Sequence, residues 1–114
     1  MSYPKALDPP QSVSVAPVST TLATFDVSTT QTLTVQVANS DASQTLACTV
    51  QRRAVALADF VDTTLGDLAS IGPSSSACVD LDCGANVEIR IVGTASGAGL
   101  TATICGRDKP RARS

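Results

Sequence analysis

Leu33, Val35 and Val37 alternate with Thr32, Thr34 and Gln36, and this period of two recurs along the chain. Leu46, Cys48 and Val50 interleave with Ala47, Thr49 and Gln51. Val87, Ile89 and Ile91 interleave with Glu88, Arg90 and Val92, and Leu100, Ala102 and Ile104 with Thr101, Thr103 and Cys105. Successive side chains of a strand point to opposite faces, so each run predicts a half-buried strand with one wet side. β-Branched residues dominate the runs, as a pleated surface favours. A weaker strand is expected at residues 22–27, with Ala23, Phe25 and Val27 on one side, and a short one carries Ala77, Val79 and Leu81.

The breaks between runs predict hairpins. Residues 39–43 (Asn-Ser-Asp-Ala-Ser) and 83–86 (Cys-Gly-Ala-Asn) hold turn-forming residues, and residues 93–99 (Gly-Thr-Ala-Ser-Gly-Ala-Gly) form a glycine-rich turn before the last strand. Residues 59–73 break the period. Phe60, Leu65, Leu68 and Ile71 read there as apolar plugs on a long connection with a short helical turn, which either caps one open end or serves as a partner-binding loop. Residues 1–17 contain Pro4, Pro9, Pro10 and Pro17 and read as an extended arm, in which residues 11–16 can add one edge strand. The expected architecture is all-β: an antiparallel β-sandwich, jelly-roll-like fold or small barrel of seven or eight short strands. The arm spans residues 1–17, the sandwich 18–106 and a basic tail 107–114.

Composition narrows the function. The chain has 114 residues, enough for one domain, with 43% hydrophobic and 16% charged residues. It has no His, a single Glu (Glu88) and three aromatics (Tyr3, Phe25, Phe60). Without imidazole there is no Ser-His or Cys-His nucleophile pair, so no catalytic residue, cofactor site or metal site is expected. Three aromatics scarcely supply a stacking platform for bases or sugars. No run of 18 apolar residues predicts a membrane span, and the N-terminal residues lack the apolar stretch of a signal peptide. Charge is uneven. Residues 107–114 carry four bases and one acid, whereas residues 1–106 carry four bases and nine acids. Five Asp and no base lie between residues 59 and 82. The tail is expected either to be a solvated basic stretch or to dock on an acidic neighbour such as another copy of the chain.

Cys48, Cys78, Cys83 and Cys105 permit three disulfide connectivities, and none is compelling. If residues 78–83 form one strand, five steps of about 3.3 Å hold Cys78 and Cys83 roughly 16 Å apart, too far to bridge. In a simple meander, Cys83 and Cys105 lie one strand apart at the same end of a sheet. Synthesis in a reducing cytosol leaves buried free thiols as the other expectation. One C-x₄-C and two isolated cysteines do not match the paired spacing of structural zinc. Asp80, Asp82, Gly84 and Asn86 have the alternation of a calcium loop but lack its third acid and distant Glu, and a turn explains them equally. Arg52 and Arg53 point to opposite faces at a strand end; with Arg107, Lys109, Arg111 and Arg113 they are candidates for one basic patch. The acidic remainder argues against nucleic acid as a partner.

The Pro-rich arm, the Ser/Thr/Ala/Val-rich strands and the closing runs 87–93 and 99–105 together resemble the small all-β decoration, or cement, proteins of tailed bacteriophage heads. The resemblance lies in overall texture across most of the chain, without a diagnostic motif. It implies a homo-oligomer on the outer capsid surface of the virion, made in the host cytoplasm. Its partners would be the major capsid protein and copies of itself, and it carries no catalytic residues over. Tyr3, Pro4, Pro9, Pro10, Arg107, Lys109, Arg111 and Arg113 are then the candidate partner contacts. The alternative is an adhesin-like, fibre or tail accessory module that binds host-surface glycans through residues 56–75 and 93–99.

Overall fold

The computed structural model describes residues 4–55, 59–63, 66–84 and 86–110. Eight strands run in the order β1 (Leu7–Val15), β2 (Thr20–Asp26), β3 (Thr30–Asn39), β4 (Leu46–Arg53), β5 (Val61–Thr63), β6 (Ser76–Asp82), β7 (Glu88–Ala95) and β8 (Leu100–Pro110), with one helical turn, α1 (Gly66–Ala69), after β5. They form two four-stranded antiparallel sheets, ordered β1-β8-β3-β6 and β2-β7-β4-β5. The alternating runs define these strands: Leu33, Val35 and Val37 point into the sandwich from β3, and Ile89 and Ile91 from β7.

The pairs β1·β8, β2·β7, β3·β6 and β4·β5 are nested one inside the next. The chain is thus a long hairpin ribbon wrapped once around itself, and β3·β8 and β4·β7 are the contacts that the wrapping adds. This is the jelly roll, in which two sheets share one core.

The wrapping corrects the expected turns. Among consecutive strands only β4 and β5 pair with each other; every other connection crosses from one sheet to the other. The connections from β3 to β4, β6 to β7 and β7 to β8, expected as hairpins, are therefore arches between the sheets. Turn residues reverse the chain, but they do not decide whether it returns to the same sheet. The meander expected around residues 78–105 falls for the same reason, since β7 belongs to the opposite sheet from β6 and β8.

The arches are closed by side chains. The Asp41 carboxylate accepts the backbone N–H groups of Ser43 and Gln44, which hold it below its ordinary range. Asn39, 1% exposed, donates from Nδ2 to the carbonyl oxygens of Gln44, Ile71 and Gly72, while its Oδ1 accepts from Asp41 N–H. One amide so ties the end of β3 to the segment between α1 and β6. Leu68 and Ile71 are buried, and Ile71 exchanges two backbone hydrogen bonds with Leu46.

The first and last strands join one sheet. Within the expected arm, residues 7–15 are the edge strand β1, whose pairing lapses between Leu7 and Gln11, where Pro9 and Pro10 bring no donors. Within the expected tail, residues through Pro110 belong to β8, so Arg107 and Lys109 lie on a strand that pairs with β3.

Among the described residues, aliphatic side chains fill the core around one buried ring, Phe25, which is 0% exposed. A Cβ on Gly106 of the opposite sheet would fall 2.8 Å from Phe25 Cε1 and Cζ. We expect Gly106→Ala to destabilise the fold by about 1–3 kcal/mol in urea unfolding, the usual cost of overpacking, and Phe25→Leu to recover part of that loss in the double variant. Asn39→Asp should cost about 3 kcal/mol or more by the same measurement, because a buried carboxylate cannot donate to the three carbonyls.

Candidate interaction surface

The outer face of the β1-β8-β3-β6 sheet brings together four of the described candidate residues, Cys78, Cys105, Arg107 and Lys109. The registers place it in rows. Gln36 of β3 stands between Cys78 of β6 and Cys105 of β8; Thr34 stands between Asp80 and Arg107; Thr32 stands between Asp82 and Lys109. Directly opposed residues in an antiparallel ladder share a face. Their exposure agrees: Gln36, Cys78, Asp80, Asp82, Arg107 and Lys109 are exposed, while Leu33, Val35 and Val37 of the same strands' inner side are buried. A fourth row holds Ser76, Ala38 and Thr103.

The face is therefore polarised across its width. β6 carries an acidic column, β8 a basic column, and β3 a neutral hydroxyl and amide strip between them. Two strand spacings, about 10 Å, separate the columns. Thr34 donates to Asp80 Oδ1 at 2.6 Å, which orients that carboxylate. Beside the basic column, Leu7, Asp8, Pro10, Gln36, Cys105 and Arg107 border a shallow open depression of about 210 Å³.

The other candidates are distributed as follows. Pro4 is exposed, and its carbonyl accepts from Asp26 N–H at 2.8 Å, on the edge of the other sheet. Pro9 and Pro10 are exposed on β1. Tyr3, Arg111 and Arg113 lie outside the described residues, as do residues 56–58, 64 and 65 of the loop considered for glycans. None of the four cysteines is joined in a disulfide, and Cys83 Sγ donates to the Leu81 carbonyl. Cys48 and Cys83 are buried, Cys105 is half-buried and Cys78 exposed. Asp80 and Asp82 sit on a strand rather than in a loop, and Asp82 Oδ1 accepts Gly84 N–H at the turn that follows.

Among the described residues, the bases do not form one patch. Arg53 and Arg90 lie on the outer face of the opposite sheet, where both guanidinium groups cover the Phe60 ring, at 4.4 and 4.0 Å from its centroid. Arg53 also pairs with Glu88, and Arg90 donates to Gln51 Oε1, whose amide in turn donates to Asp62. Phe60, read from the sequence as a core plug, instead anchors a cation–π cluster outside the sandwich. The signal that could have found it was Arg53, Gln51 and Arg90 at outward positions of their runs.

The acidic column was also missed as a site. Asp80 and Asp82 were visible as alternate residues of one strand, but their alignment with Arg107 and Lys109 depends on which strands flank β3.

Burial pushes the Cys48 thiol from an ordinary value near 9.0 up to about 12. The folded chain thus keeps this proton where the unfolded chain releases it. Stability from this group is complete below about pH 9 and should fall by about 1.4 kcal/mol per pH unit from there toward pH 12. Urea unfolding at several pH values should show a shallower decline for Cys48→Ala. A thiol reagent should label Cys78 in the native protein, and Cys48 and Cys83 only after unfolding.

No family model matches the chain, and no curated protein matches it. Among solved structures, the chain is similar to the crystal structure of the SPBc2 prophage-derived protein YomS, with a TM-score of 0.49 and 16% identity over 86% of this chain and 95% of that one.

Proposed function

We propose that this chain is a structural protein of a bacteriophage particle, seated on the outer surface of the head as a decoration, or cement, protein and contacting the major capsid protein and copies of itself. The observation that carries this reading is the outer face of the β1-β8-β3-β6 sheet, with small hydroxyl side chains between an acidic and a basic column. Such a face suits contact with another protein surface, and charge columns give it register and orientation. Both terminal strands lie side by side in this sheet, so its ladder bonds resist a pull on either end. Jelly rolls build viral capsid and lectin domains, an analogy of fold that agrees with this role without assigning it. Many weak contacts repeated over a shell sum to firm attachment.

The resemblance noted in the sequence names the same class, and the inventory of side chains supports it: with no His, the chain offers few groups for acid–base chemistry. The test is thermal release. Heads carrying the protein should retain DNA to a higher temperature than heads lacking it, and Arg107→Glu with Lys109→Glu should reduce that gain. Equal retention with and without the protein would reject the cement role.

A further inference from the structure

We propose that the outer face of the β1-β8-β3-β6 sheet binds a second copy of this chain, face to face, about a two-fold axis that runs along β3. This deepens the reading of the chain as an assembling structural protein by naming one partner and its geometry.

The argument is one of symmetry. A two-fold interface brings the same patch of both copies together, so the patch must complement itself. A half-turn about an axis along β3 exchanges the two flanking columns: β8 of one copy comes to lie over β6 of the other. Arg107 and Asp80 share the row of Thr34, and Lys109 and Asp82 share the row of Thr32. The half-turn therefore sets Arg107 over the partner's Asp80 and Lys109 over the partner's Asp82, and the two reciprocal pairs follow. All four charges are exposed, and among the described residues none of them takes part in an ion pair within the chain. In the remaining rows, Cys105 lies over the partner's Cys78 and Thr103 over the partner's Ser76, with Gln36 and Ala38 on the axis.

The shape agrees. A twisted sheet is a saddle, and a half-turn about its central strand maps the saddle onto itself. The two faces then stay at an even separation, aligned as packed sheets are. Other half-turns lose the match. An axis across the strands reverses the rows and stacks like column on like column. The overlap of three strands, about 14 Å by 23 Å, is small for a protein contact. The dimer is therefore weak and salt-sensitive when free, and is strengthened by avidity where copies are held close.

Sedimentation equilibrium of the purified, reduced protein up to about 1 mM tests the idea, because exposed ion pairs weaken with salt. The expected result is a monomer–dimer equilibrium whose association constant falls about tenfold or more between about 50 mM and 500 mM NaCl. Arg107→Asp should abolish the dimer, and Arg107→Asp combined with Asp80→Arg should restore it, since the exchange keeps each pair across the axis. Circular dichroism confirms that each variant is folded.

A second measurement reads the axis itself. Cys78→Ser and Cys105→Ser variants are treated, separately and mixed, with dibromobimane, a short reagent that joins two thiols. Directly opposed thiols exist only between unlike variants, so the mixture should cross-link and neither variant alone should. A monomer at every concentration, a dimer indifferent to the charge exchange, or equal cross-linking of mixed and separate samples would each overturn the proposal. The purified chain alone is used throughout. A monomer that still raises the release temperature of heads would remove this interface and leave the cement role standing.

Discussion

Phe25 lies against Gly106, and the rest of the sandwich is arranged around that contact. A small all-β domain must fill the gap between its sheets, and here one ring does so among aliphatic side chains. The ring projects from β2 in one sheet until it meets the backbone of β8 in the other, where only a residue without a Cβ leaves room. Gly106 is also the partner of Leu7 on β1 and Val35 on β3, so the same position sets the register of three strands. Since side chains alternate, an inward Gly106 obliges Cys105 and Arg107 to face outward. The interior packing thereby determines the polar face on the far side of the sheet.

The jelly-roll wrapping converts local alternation into a surface with direction. Each strand by itself presents a small stripe of Thr, Ser or charged side chains. Because β3 is flanked by β8 and β6, strands distant in sequence, a basic stripe and an acidic stripe are held parallel on either side of a neutral one. The opposite sheet uses its outer charges differently. There Arg53 and Arg90 are consumed in stacking on Phe60 and in bonds to Glu88 and Gln51, which tethers the segment leading into β5. One face of the sandwich is therefore satisfied by its own chain, and the other carries exposed charges in complementary columns.

Several features were legible before the fold was known. Seven of the eight strands coincide with runs of alternating or proline-interrupted sequence, and the aliphatic positions of those runs form the core. The three-residue strand β5 was too short to show a period, and the start of β1 was hidden by Pro9 and Pro10, which an edge strand accommodates where its pairing lapses. The apolar spacing marks Leu68 and Ile71 for the burial they have, but it does not place Phe60, because an aromatic residue in a loop carries no mark of which side it will cover. Asn39 looked like a turn residue and is a buried hub; its importance lies in carbonyls more than thirty positions away.

What the chain determined by itself was the strand content and the two-sidedness of each strand, since both follow from the spacing of side chains along an extended backbone. It also determined the chemical vocabulary, rich in hydroxyls and aliphatics and lacking imidazole. Strand partnership belonged to the tertiary structure. The turn segments reverse direction equally well within a sheet or between sheets, and the choice was made by closing one core around Phe25. That choice aligned Asp80 with Arg107 and Asp82 with Lys109, a relation between residues some 27 positions apart that no local pattern encodes.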